Sequence, residues 1–157
     1  MADDYVSNPG SGGLTFAGDD VGAGKIVPRV KAVMGLDGQQ QDGWTPHRLV
    51  SAASNNATNV KASAGQIGFI WCVNLNAAIR YLKLYNKASA PAPASDNALL
   101  VATLPIPASV TGAGFMIPIP AGVNFSTGIG YAMVTGASDK DNTSVAANEI
   151  FLWLGYC

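Results

Sequence analysis

Apolar and polar residues alternate with a period of two along much of this chain, and turn residues interrupt the pattern at short intervals. In Arg80–Lys87, Arg80, Leu82 and Leu84 alternate with Tyr81, Lys83 and Tyr85. That period is the strand period, and it points the long amphipathic side chains toward solvent. Strands are predicted at Arg48–Ala53, Ala57–Ala62, Gln66–Asn74, Ile79–Tyr85, Leu99–Ile106, Gly114–Ile119, Val123–Phe125, Gly130–Thr135 and Glu149–Tyr156. Glu149–Tyr156 is apolar on both faces, as a central strand is. Turn signals sit between them, among them Asn55-Asn56, the Ala/Pro run Ala90–Ala94, Thr111-Gly112 and Ser138–Asn142. Many short strands at this spacing predict an all-β fold, a sandwich or barrel rather than a βαβ sheet. The expected form is a β-sandwich, jelly-roll-like, although the spacing itself does not separate a jelly roll from another sandwich. A helix within Ser144–Asn148 is the one helical candidate, and a weak one. Pro105-Ile-Pro-Ala108 recurs as Pro118-Ile-Pro-Ala121, and prolines this dense are expected to close strands at a sheet edge.

The N-terminal part reads differently. Gly10, Gly12, Gly13, Gly18, Gly22 and Gly24 crowd the start of the chain. Glycine loses the most backbone entropy on ordering, so regular structure is disfavoured there. Yet Tyr5, Val6, Leu14, Phe16 and Val21 are spaced along the same stretch. Spaced apolar anchors on a pliable backbone suit a segment that orders against a partner. Lys25–Met34 follows as an edge strand, with Ile26 and Val30 on one face and Pro28 near its start. The chain is therefore divided into an extended N-terminal arm with one edge strand, residues 1–46, and a β-sandwich body, residues 47–157. The expected partner-binding residues are Tyr5, Val6, Leu14, Phe16, Val21, Ile26 and Val30.

Composition sharpens this picture. Charged residues make up only 12% of the 157-residue chain, about half the share of a typical soluble domain. A surface so bland suits a protein that lives packed in an assembly. The net charge of −1 carries no basic signature of nucleic-acid binding. Met1–Pro46 holds six acidic and three basic residues, whereas His47–Gly136 holds Asp96 against five bases. No apolar run is long enough for a membrane span, no secretory leader is visible, and synthesis in the cytoplasm is expected. Two cysteines, Cys72 and Cys157, do not make a disulfide framework.

Candidate chemistry is sparse. The sole histidine, His47, has no nucleophile motif beside it, and the sole glutamate is Glu149. Asp139, Asp141 and Asn142 offer oxygens at a calcium-loop spacing but lack the glycine and distal glutamate of an EF-hand, so a polar turn is expected. Gly24-Lys25 is followed by Ile26, which fails the phosphate-loop pattern at its hydroxyl position. No catalytic residue, metal or cofactor is expected, and the chain is read as a non-enzyme.

Five segments together resemble a family of small tailed-bacteriophage virion structural proteins. They are Asp19–Lys31, the Gly35–Gly38 turn, Ser54–Gly65, Arg80–Ala88 and Phe125–Tyr131. The resemblance implies a location in the virion and a role as a capsid decoration (cement) protein on the major capsid protein lattice. A tail, neck or fibre-base structural protein is the alternative it also allows. Such a protein is expected to be a homo-oligomer. A third reading, a host-glycan-binding β-sandwich, would use Tyr81, Tyr85 and Trp44.

Overall fold

The structure is a computed structural model. It describes residues 43–109 and 111–157, together with three strands within the first 42 residues. The chain divides into two units, Met1–Gln40 and Gln41–Cys157.

In the first unit, β1 (Asp4–Val6), β2 (Thr15–Asp20) and β3 (Ile26–Pro28) form a three-stranded sheet in that order. Tyr5 pairs with Phe16 and Asp19 with Val27, both antiparallel. Of the edge strand expected over Lys25–Met34, Ile26–Pro28 is strand and the rest lies outside the described residues; two further strands, β1 and β2, precede it. Hairpin pairing satisfies backbone donors and acceptors that a lone extended chain leaves to solvent, which offsets the glycine cost. Of the expected partner-binding residues, Tyr5, Val6, Phe16 and Ile26 lie on these strands. Leu14, Val21 and Val30 lie outside the described residues.

The second unit holds eight strands: β4 (Thr45–Val50), β5 (Thr58–Lys61), β6 (Gly65–Asn74), β7 (Arg80–Asn86), β8 (Leu100–Ile106), β9 (Ala113–Phe125), β10 (Ile129–Val134) and β11 (Ile150–Tyr156). One 3₁₀ turn, Asn97–Leu99, precedes β8. They form two four-stranded antiparallel sheets, β4-β11-β6-β9 and β5-β10-β7-β8. The pairing is nested. The first strand of the unit pairs with the last, the second with the seventh, the third with the sixth, and the fourth with the fifth.

Inward residues of both sheets share one core. Ile67, Ile70, Cys72, Ile150, Leu152 and Leu154 from one sheet meet Leu82, Leu84, Ile106, Ile129, Tyr131 and Met133 from the other. β11 is a central strand, as its two apolar faces require. Most predicted strands agree with the structure to within a residue or so at each end. Three do not. β4 starts at Thr45 rather than Arg48, so the second unit takes in Trp44, Thr45 and Pro46. Gly114–Ile119 and Val123–Phe125 are one strand, β9, which runs through Pro118 and Pro120. Ser144–Asn148 contains no helix.

Prolines explain the first two differences. β4 and β9 are the edges of their sheet, and β8 is an edge of the other. Pro46, Pro105, Pro118 and Pro120 lie inside these three strands. The Pro105–Ala108 repeat does close an edge strand, β8, at Ile106, whereas the expectation that Pro118–Ala121 closes one is corrected, since β9 runs on to Phe125. An edge strand has one unpaired side, so a missing N–H need not break the ladder. The remaining edge, β5, is only 4 residues long. Pairing of β6 with β9 jumps from Phe69↔Pro118 to Ile67↔Val123, and Gly122 within the jump has φ +70°.

Lys83 and Tyr85 are both fully buried, which corrects the expectation that they face solvent. β7 is central, and loops cover its outward side. The Lys83 ammonium donates to the carbonyls of Ser138, Asp139 and Asp141. Pro91 and Pro93 of the Ala/Pro run are buried too, and a Cβ on Gly130 would stand 3.2 Å from Pro91 Cδ. One sheet therefore has its outer face roofed by loops.

Aromatic rings cover two glycines of the other sheet. A Cβ on Gly155 would lie 2.2 Å from Phe69 Cε1, and one on Gly68 would lie 2.1 Å from the Trp44 ring. Gly155→Ala must displace the Phe69 ring, and overpacking of this kind costs about 1–3 kcal/mol. Urea unfolding of that variant is expected to show a loss in this range with an unchanged m-value.

Candidate interaction surface

The outer face of the β4-β11-β6-β9 sheet carries a row of large side chains that runs across all four strands. Ladder register aligns Arg48 with Trp153, Trp153 with Trp71, and Trp71 with Met116. Each side chain stands opposite its neighbour because cross-strand partners point to the same side of a sheet. Their inward neighbours, Leu152, Leu154, Ile70 and Cys72, are buried in the core, so the row itself must face outward.

The rings are ordered against one another. Trp71 and Trp153 stack with centroids 5.0 Å apart and planes 17° apart. The Arg48 Cζ lies 5.3 Å from the Trp153 centroid, within cation–π range. Trp71 and Trp153 each remain 38% exposed, and Met116 is 68% exposed. The next rows extend the apolar character. Val50, Phe151 and Val73 align on one side, and Gly155, Phe69 and Pro118 on the other. Among the described residues of these three rows, Arg48 carries the one charge. An antiparallel sheet that faces water normally alternates to polar residues on that side. This face does not.

The remaining candidate residues are engaged in holding the fold. His47 Nε2 and the Tyr131 hydroxyl are 2.9 Å apart, and the rings meet edge to face at 5.5 Å. This contact ties β4 of one sheet to β10 of the other. Burial lowers the His47 pKa and pushes Tyr131 up to about 12. Glu149 pairs with Arg80, and its other oxygen accepts from the Ala146 N–H at 2.7 Å. Asp96 pairs with Lys87. Asp141 accepts from the Gly136 N–H at 3.1 Å and the Thr143 hydroxyl at 2.6 Å; these bonds and the nearby Lys83 outweigh desolvation and hold its carboxyl below the usual range. Burial pushes the Cys72 thiol up to about 12, far from a reactive thiolate. Cys72 and Cys157 are both free thiols. Among the described residues no three His, Cys, Asp or Glu side chains gather where they could hold a metal ion.

The Asp139–Asn142 turn, with its calcium-loop spacing, does have a cation at its centre. It is the Lys83 ammonium, whose contacts with the Asp139 and Asp141 carbonyls are 3.1 and 3.0 Å. All three of its N–H donors have an acceptor.

The chain matches no family model, no curated protein and no solved structure. Its surface must then be interpreted from its own geometry. Among the described residues no helix is long and apolar enough to cross a membrane. A glycan platform built on Tyr81, Tyr85 and Trp44 is not formed, because Tyr85 is fully buried and the Trp44 ring lies against Gly68. The Trp71–Trp153 pair is no open platform either. Each indole spends one face on the other, and Arg48 covers the second face of Trp153. What the row offers outward is ring edges, a guanidinium and a thioether. Trp, Met and Arg are the side chains enriched at protein–protein contacts.

The sequence reading placed its candidate contacts in the first 30 residues and did not single out Arg48, Trp71, Met116 or Trp153. The signal that points to them is the second apolar face of β11. In a sandwich whose other sheet supplies only one cover, Phe151 and Trp153 need a further one.

The His47–Tyr131 contact has a pH signature. A histidine whose folded pKa is lowered is protonated more readily in the unfolded chain. Its contribution to stability is complete above the ordinary histidine value of 6.5 and is lost as pH falls from there toward the folded pKa. The melting temperature of the wild type is expected to fall between about pH 7.5 and pH 5.5 by more than that of His47→Gln, measured by circular dichroism.

Proposed function

We propose that this chain is a non-enzymatic virion structural protein that decorates a bacteriophage capsid and stabilises the major capsid protein lattice. The observation that carries the reading is the exposed Arg48–Trp153–Trp71–Met116 row on an otherwise apolar sheet face. A face of this kind calls for a protein cover.

Two further features support it. We read the nested pairing of the eight strands as a jelly roll, an architecture frequent among capsid and lectin domains. The sheet edges are short or interrupted by proline, which disfavours strand addition as the mode of contact. A body with blunted edges and one sticky face can cover a lattice without polymerising along its own strands. Repetition over a symmetric shell then makes modest affinity per copy sufficient.

Purified particles of the virus that encodes this chain are expected to contain it at the stoichiometry of the capsid lattice. Quantitative mass spectrometry of the virion gives the copy number, and immunogold labelling gives the position. Label confined to tails, with only a few copies per particle, would replace this reading with a tail, neck or fibre-base protein.

A further inference from the structure

Resting on that reading, we infer that the outer sheet face recognises a surface carboxylate set among apolar residues on a different protein, with Arg48 as the residue that selects it. The row is unusual in its hydrogen-bonding chemistry. A guanidinium brings five N–H donors, and each indole brings one. Among the described residues no side-chain hydrogen bond is donated by Arg48, Trp71 or Trp153. The row also contains no acceptor stronger than the Met116 thioether.

A partner must bring the acceptors, or these donors are buried unpaired on docking, which is costly. A carboxylate supplies two acceptor oxygens and also neutralises the guanidinium, in a planar geometry the two groups share. The cation–π contact holds the guanidinium over the Trp153 ring before the partner arrives, so less rotamer freedom is lost on binding.

Charge across the rest of the second unit agrees. Arg80 and Lys87 are paired with Glu149 and Asp96, and Lys83 is enclosed by the 138–141 turn. Lys61 lies on β5 of the other sheet and Lys140 in that turn, so neither belongs to this face. Arg48 is in no described ion pair. The other occupants of such a face fit less well. A second copy related by a two-fold axis would set donor against donor and bring no acceptor. A nucleic acid needs many phosphate contacts, and these rows hold a single cation. A sugar finds three of the four indole faces already taken, both of Trp153 and one of Trp71.

The test uses the full-length chain and particles of the encoding virus that have been stripped of it. Wild type, Arg48→Ala, Arg48→Lys and Trp71→Ala are compared by equilibrium binding at low and high salt, with melting temperatures recorded for each. We expect Arg48→Ala to bind at least about tenfold more weakly with an unchanged melting temperature. Arg48→Lys, which keeps the charge but not the planar fork, falls between the two. Wild-type binding weakens with salt and is lost when particle carboxylates are amidated by carbodiimide. If Trp71→Ala loses binding while Arg48→Ala does not, the carboxylate inference fails and the virion reading stands. The same holds if both variants bind like wild type. Wild type that binds no particle at all overturns both. Glycan-array binding that depends on Trp71 would put a sugar in place of the carboxylate.

Discussion

The nested antiparallel pairing constrains everything else in the second unit. It sets β11 between β4 and β6 and β10 between β5 and β7. Only with that order do Leu152 and Leu154 lie over the same core as Leu82 and Met133. The contacts that enforce it are distant in sequence: Phe151 pairs with Val50, and Tyr131 with Thr58. Loop-closure entropy must be paid before such contacts form, so the fold belongs to the slow, high-contact-order class. The His47–Tyr131 contact is a further cross-link between the two sheets.

The same order creates the asymmetry between the two outer faces. β7 carries Lys83 and Tyr85 outward, and the Ala/Pro run and the 138–141 turn close over them. β11 and β6 carry Trp153 and Trp71 outward, and no described segment of this unit buries them. Both faces hold apolar bulk, yet one is covered within the unit. Proline at the long edges directs contact toward that open face rather than along the ladders.

Much of the strand layout was legible in the sequence, because period-two alternation and turn residues act locally. Gln66–Asn74 and Glu149–Tyr156 are placed to within a residue on that basis. Strand limits failed where proline was taken as a stop, at Pro118, and where the arm was ended at residue 46. Whether proline ends a strand depends on whether the strand is an edge, and that is a property of the sheet. Exposure was legible only in part. Lys83 and Tyr85 alternate as solvent residues do, but their cover comes from loops that the pattern cannot place. The row was illegible for a related reason. Trp71 and Trp153 are partners only through the register of β6 with β11, and no local signal encodes register. The expected contacts at Leu14, Val21 and Val30 lie outside the described residues.

The Lys83 turn carries one more consequence. Loops with this spacing of oxygens commonly borrow a metal ion to draw their carbonyls together, and they loosen when the ion is removed. Here the cation is covalently part of β7 and cannot dissociate. These contacts give the turn its cation without a bound metal ion. A protein that must keep its shape as the ionic surroundings change can rely on a counter-ion it never has to find.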